Sequence, residues 1–404
     1  MVRDVVTPKA DNLIQEFRQE LHTIADWWCQ QAPDPINGGF IGEITRTGVR
    51  QVQSNKGVIL NARLLWFFSE LAQFTGNLDY RELATRAYQV IAQQFLDKQH
   101  GGLVWAVNYR GQVIDSRKQV YAQAFGIYGL CAYYQLTHDQ NALELAIELF
   151  NLVENYAHPV DGEGYLEAFS QNWQALSDTR LSEKDLHAHK SMNTHLHILE
   201  AYGALTLTGA CPLAAQSLRR LICYFYEHIL DKQTWHLRLF QNRDWTDISE
   251  GVSYGHDIEC SWLLWESARR LQDEELQQTL KPVVLNIANN LRQKGIDQYG
   301  ALQDGFSFTQ SRPHQQRIWW VQSEALVGFL TAYQISGDSA YRDSFLNVWK
   351  FIKNYIKDSQ NGEWHWFSTL DQPQWQEYKL GFWKGPYHNG RAMMEVCKLL
   401  LEVN

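Results

Sequence analysis

The chain is predicted to be all-α, a closed (α/α)6 barrel of six inner and six outer helices forming a single domain over residues 1–404. Three observations predict it. Only 26 glycines and 9 prolines interrupt 404 residues, below ordinary usage, so long unbroken elements are expected. A unit recurs six times: an apolar stretch runs into Asp34, Asp97, Asp161, Asp231, Asp297 or Asp358, usually followed by glycine and then an aromatic or aliphatic residue, at gaps of 61 to 70 residues. The Asp231 copy lacks the glycine. Each period also holds two helix-like stretches of different character.

The pairs span residues 56–76 and 77–97, 118–138 and 139–156, 192–209 and 212–231, 256–272 and 273–297, and 318–337 and 338–358. The sixth is assembled from residues 383–403 and 10–30. In each pair the first stretch is small, apolar or aromatic, as from Val321 to Leu330, and belongs inside. The second is amphipathic, as from Asp338 to Ile352, and belongs outside. An open solenoid needs polar caps. The last stretch, Met393 to Leu401, is too apolar to face water, so the ring is expected to close.

Composition removes several function classes. With a net charge of −9 and no Lys/Arg block, the chain offers no footprint for nucleic acid. Neither a leader-like apolar region in Met1–Pro8 nor a membrane-length apolar run is present, which reads as a cytoplasmic protein without membrane contact. Cys29, Cys131, Cys211, Cys223, Cys260 and Cys397 form no CxxC pair and read as reduced thiols. Dinucleotide, P-loop, zinc-protease and serine-hydrolase motifs are missing.

Unusual polar residues gather at the starts of the inner stretches. They are Arg63; Tyr121 and Gln123; Asn193, His195 and His197; His256 and Glu259; Trp319, Trp320, Gln322 and Glu324; and His388, Asn389 and Arg391. In a barrel of parallel inner helices these aim at one cavity. Asn193 and His197 are four apart and His256 and Glu259 three apart, so each pair shares a face. His195 lies about 200° from His197 and should point elsewhere. Trp319 and Trp383 read equally well as core, and Glu324 as a partner for Arg63 or Arg391. His187-Ala188-His189 reads as solvated loop, having no third metal ligand. Glu259 and Glu324 could serve glycoside hydrolysis, but that leaves three histidines unexplained. Two imidazoles on opposite walls suit removal of a proton next to a carbonyl and its return to the other face, with no metal or cofactor. A cationic or amide donor would hold the enediolate, and the product is an epimer.

Four blocks, Lys190–Tyr202, Ser253–Trp262, Trp319–Ala325 and Trp383–Arg391, carry a resemblance that spans essentially the whole chain. They resemble the N-acylglucosamine 2-epimerase superfamily and, within it, the cellobiose 2-epimerase branch. The resemblance implies interconversion of glucose and mannose at the reducing end of a β-1,4-linked disaccharide through ring opening and a cis-enediolate. It implies His256 and His388 as paired acid/base catalysts, with His197 assisting ring opening. Arg63 and Asn193 would hold the oxygens, Glu259 would orient His256 or bind hydroxyls, and Trp319 and Trp383 would stack on sugar. Tyr121 and Glu324 join the substrate-binding set. Gly385 stands where cysteine is common in the branch. The expected partner is a small saccharide, acting on a monomer or homodimer. The rival readings are a mannose/glucose 2-epimerase, an aldose–ketose isomerase, an N-acylglucosamine 2-epimerase, and a non-catalytic sugar-binding barrel.

Overall fold

Among the described residues, twelve α-helices alternate between two layers, and no strand exceeds three residues. The structure is a computed structural model describing residues 7–159, 163–183, 185–314, 316–372 and 377–402. Asp161 and Gly162 of the third repeat, Val403, and the first six residues read above for a leader lie outside the described residues. No described helix is long and apolar enough to cross a membrane.

The inner layer comprises α2 (Val58–Thr75), α4 (Val120–Thr137), α6 (Met192–Leu207), α8 (Tyr254–Arg270), α10 (Trp319–Ser336) and α12 (Tyr387–Glu402). The outer layer comprises α1 (Thr7–Gln31), α3 (Leu78–Val90), α5 (Gln140–Leu152), α7 (Pro212–Tyr224), α9 (Glu274–Lys294) and α11 (Ser339–Phe351). Inner helices are apolar around most of their circumference and buried to match, whereas outer helices bury one stripe. Each inner helix packs on the next, α12 returns to α2, and α1 packs on α12. The ring is closed, giving the (α/α)6 barrel expected.

The recurring aspartates have a physical reason. Asp34, Asp97 and Asp358 each accept a buried lysine, Lys56 at 3.2 Å, Lys118 at 3.0 Å and Lys379 at 2.8 Å. Each lysine also donates to the carbonyl of the turn glycine, Gly38, Gly101 or Gly362. That glycine is left-handed, with φ of 69° at Gly101 and 70° at Gly362. In the Asp231 copy, Trp235 takes the equivalent position at φ 60°. These latches fasten the loops at the end of the ring where the inner helices begin.

Short ribbons join neighbouring repeats at that same end. The residue before α2, α4, α6 and α8 (Gly57, Gln119, Ser191 and Ser253) pairs with Ala106, Ala168, Phe240 and Gly305 respectively. Ile44 pairs with Leu380 across the closure. Four outer helices, α3, α5, α7 and α11, end in a five-residue π-helical turn. Several boundaries differ from expectation by a few residues, and the outer stretches end earlier as α-helix, two of the shifts falling at the site. α8 starts at Tyr254, capped by Ser253, and α12 starts at Tyr387 rather than Trp383. Pro386 accounts for the second, because its fixed φ suits a helix start and disfavours helix before it.

Candidate active site

A cavity of about 650 Å³ opens where the inner helices begin, and Arg63, Tyr121, Asn193, His197, His256, Glu259, Trp319, Trp383 and His388 all line it. Nine of the ten residues expected at the site are therefore brought together from six segments. Glu324 is the tenth, and it lies behind His388 rather than in the cavity wall.

The three cavity histidines share one arrangement: Nδ1 is tied to the protein. His388 Nδ1 lies 2.6 Å from Glu324 Oε1, His197 Nδ1 lies 3.3 Å from Glu200 Oε2, and His256 Nδ1 lies 2.8 Å from Ser253 Oγ. Nε2 of each is left for whatever enters the cavity. Burial pushes His256 down to about 3 and His197 down to about 4, and holds His388 well below the ordinary imidazole value. Burial thus disfavours the imidazolium at all three. Trp320 spans two of them, its ring 4.7 Å from that of His256 and 5.4 Å from that of His388. Gly255 permits this, since a Cβ there would come within 2.5 Å of the Trp320 ring.

Beneath the histidines sits one buried guanidinium. Arg391 donates to Glu259 at 2.6 Å and Glu324 at 2.7 Å, and also to Glu200 and to the Tyr387 hydroxyl. Trp262 donates to the other Glu324 oxygen at 3.1 Å. Burial would raise the Glu200 carboxyl, but Arg391, His197 and Tyr387 outweigh it and hold it down to about 2. Burial and the Glu324 charge push Glu259 well up. Ligand atoms of Glu259, Glu324 and His388 all lie within 4.8 Å of one another, a spacing a metal would accept. The Arg391 guanidinium bonds both carboxylates and so already supplies a cation to that cluster.

Several polar atoms of cavity residues are buried with no hydrogen-bond partner among the described residues: Arg63 Nε, Asn193 Oδ1, Glu259 Oε2 and Trp319 Nε1. Buried polar groups normally find partners, so a polar ligand is the natural one here. Arg63 is fixed by the Trp383 carbonyl at 2.9 Å and the Tyr121 hydroxyl at 3.0 Å, between the rings of Phe125 and Tyr387. Trp319 rests on Trp366 and over the buried Lys384–Glu363 pair.

Four residues singled out by position face elsewhere. Gln123 bonds the Leu103 backbone and Gln322 the Leu302 backbone, each locking a repeat loop. Asn389 donates to Glu363. His195 bonds Ser191 O and accepts from Tyr165 N, so both its nitrogens serve the backbone, as its angular offset from His197 required. His187 is exposed beside Asp178. Ser253, Asp185 and Trp366 also belong to the site, and they sit on connections where no helical period points them out.

Residues 39–389 match the N-acylglucosamine 2-epimerase (GlcNAc 2-epimerase) family. The chain belongs to this family. It is 41% identical over 388 residues to a cellobiose 2-epimerase of Bacteroides fragilis, covering 95% of this chain and 98% of that one. It is 35% identical to a cellobiose 2-epimerase of Dictyoglomus turgidum, covering 95% and 97%. Its fold superposes on cellobiose 2-epimerase from Bacillus thermoamylovorans with TM-score 0.90 at 36% identity, covering 96% and 99%. As a member of the N-acylglucosamine 2-epimerase family the chain is an isomerase, a sugar 2-epimerase.

Proposed function

We propose that the barrel is one catalytic domain that interconverts glucose and mannose at the reducing end of β-1,4-linked disaccharides, cellobiose first, without metal or coenzyme. The observation that carries this reading is the pair His256 and His388: two imidazoles on one indole, each tied at Nδ1 and each lining one cavity.

The sugar ring opens with His197 at the C1 to C2 region, its Nδ1 steadied by the ionised Glu200. One imidazole of the pair takes the C2 proton. The two oxygens of the resulting cis-enediolate lie against the Arg63 guanidinium and the Asn193 side chain, which stabilise the developing charge. The other imidazole enters the step as the protonated member of the pair and returns its Nε2 proton to the opposite face of C2, so that one proton is kept, one is given and the pair's total is unchanged. Glu259 bonds a sugar hydroxyl through its unpartnered oxygen. Trp319 and Trp383 present flat apolar faces of the kind that pack on a pyranose. A volume of about 650 Å³ is in the range of sites that enclose a whole small ligand, which supports a disaccharide. All six cysteines are unpaired, which supports a reducing, cytoplasmic setting.

The test is NMR of products formed in D2O from cellobiose, mannose and N-acetylglucosamine. Cellobiose should yield its mannose-ended epimer with deuterium at C2. Turnover of mannose or N-acetylglucosamine alone would overturn the disaccharide assignment. Binding of cellobiose without turnover would overturn catalysis.

A further inference from the structure

The inner helices enclose a second space at the end of the ring where they finish. It measures about 310 Å³, and the second halves of all six inner helices reach it, through Glu70, Tyr128, Ala204, Arg270, Thr331 and Lys398. It shares no lining residue with the substrate cavity. Trp66, Tyr128 and Trp262 form the partition between the two: the Tyr387 ring lies 5.4 Å from the first and 6.3 Å from the second, and the Arg391 guanidinium lies 4.8 Å over the third. On the other side the lining residues Leu207, Arg269 and Glu402 are exposed, so the cavity opens to solvent.

Polar groups face this space without partners. Trp66, Tyr128 and Thr331 are 3%, 7% and 4% exposed and come from three different helices. All three line the cavity, yet the Trp66 indole N–H and the Tyr128 and Thr331 hydroxyls have no hydrogen-bond partner among the described residues. Side chains this deeply buried normally find one. The half-buried Glu70 carboxylate has none among the described residues either. Arg270 reaches in across Gly203, where a Cβ would come within 2.9 Å of its Nη1.

The charges around these groups balance. Arg270 meets Glu266 at 3.2 Å, Lys398 meets Glu395 at 2.8 Å and Arg269 meets Glu402 at 3.5 Å. Glu70 is left over, but Arg270 and Lys398 lie close enough to oppose its charge. An anion would meet the carbonyl ends of six helices, which carry partial negative charge, and a cation would meet Arg270 and Lys398. The unpartnered N–H, hydroxyls and carboxylate together suit a neutral molecule whose own hydroxyls both donate and accept.

We propose that the far end of the barrel is a second saccharide site that takes one neutral monosaccharide of the size of glucose. Glu70 accepts from the sugar's hydroxyls, the Trp66 N–H and Arg270 donate to them, and the Tyr128 and Thr331 hydroxyls do either. The volume is about half that of the substrate cavity, room for one sugar ring where the other takes two, a comparison that rests on the disaccharide reading above. The site binds and does no chemistry, since the layer of Tyr387 and Arg391 separates it from the imidazoles.

Binding of isotope-labelled glucose is followed by saturation-transfer NMR in enzyme saturated with unlabelled cellobiose, which occupies the substrate cavity. Glucose should bind saturably. Glu70→Gln should weaken it about tenfold and Thr331→Val about threefold, Ala204→Trp, which fills the cavity, should abolish it, and kcat for cellobiose should change little in all three. Glu70→Gln and Thr331→Val keep the shape of the parent side chains and carry the test if Ala204→Trp does not fold. No saturable binding of glucose, or binding that both Glu70→Gln and Thr331→Val leave unchanged, overturns the proposal. Tighter binding of glucosamine or glucose 6-phosphate than of glucose overturns the neutral class of ligand. Cellobiose that fails to turn over bears on the epimerase reading alone and leaves binding at the far end as measured.

Discussion

Glu324 Oε1 lies 2.6 Å from His388 Nδ1 and 2.7 Å from Arg391, so a single carboxylate oxygen couples a cavity imidazole to the charge at the barrel axis. The carboxylate favours the imidazolium that forms when His388 accepts a proton. Glu324→Gln should lower kcat by about 10² while changing KM for cellobiose little, since Glu324 does not line the cavity. Steady-state kinetics check this. A purely KM effect would place Glu324 in sugar binding instead.

His256→Ala and His388→Ala should each lower turnover by roughly 10² or more, with cellobiose binding retained in calorimetry. A variant that keeps nearly full turnover removes its histidine from the mechanism.

Arg391→Met should destabilise the fold by about 3–5 kcal/mol, because Glu200, Glu259 and Glu324 would be buried without their shared cation. Denaturant unfolding measures it. Arg391→Lys should recover only part, since an ammonium lacks the planar fork that reaches three carboxylates.

Stability should fall on both sides of a pH maximum. His195, His197 and His256 are held down to about 3, 4 and 3 by burial. Unfolded histidines titrate near 6.5, so below that pH the unfolded chain binds protons the folded one refuses and stability is lost. Glu167 has the opposite sign. Burial pushes it up to about 8, between Ser191 N at 2.6 Å and the Thr194 hydroxyl at 2.5 Å. The folded chain holds that proton where an unfolded glutamate has lost it, so its contribution disappears as pH rises toward 8. Glu167→Gln, a neutral mimic, should remove an alkaline decline on the order of a few kcal/mol. Unfolding midpoints between pH 5 and 9 that run parallel for the two proteins would show that Glu167 is ionised.

Gly385→Ala should be silent. An added Cβ would lie 3.4 Å from Leu60 Cδ1 and 3.7 Å from Arg63 Cβ, which is ordinary contact. Activity and unfolding free energy should stay within about 0.5 kcal/mol of the parent. A tenfold loss of activity would show that Arg63 tolerates no pressure from behind.

The barrel was legible because its signals are periodic. Alternating helix character, the Asp and Gly repeat and the apolar last helix each report burial directly, and the position of His256 and His388 in equivalent repeats put them at one end. The angular offset that sent His195 away from His197 is likewise a property of the helix itself. What escaped depends on neighbours. Gln123 and Gln322 begin inner helices as Asn193 does, but turn to repeat loops whose free backbone groups they satisfy. Glu324 was open to two readings, sugar contact or partner of an arginine, and only the placed Arg391 guanidinium decides for the second. Ser253 lies before the stretch read as helix, and both its cap on α8 and its bond to His256 Nδ1 appear only once the side chain is placed.

The lysine latches at Asp34, Asp97 and Asp358 have a consequence for variation. Each is complete within its own repeat, joining an aspartate to a lysine about twenty residues later with the loop between them held at both feet. The same loops are also tied to their neighbours through the ribbons, Ala106 to Gly57 and Ile44 to Leu380, so the latch fixes the ends of a loop while the ribbon fixes its middle. Grafting one such segment from a relative, cut just outside the ion pair, therefore has to bring its ribbon partner with it if the imidazoles and the guanidinium below them are to stay in place.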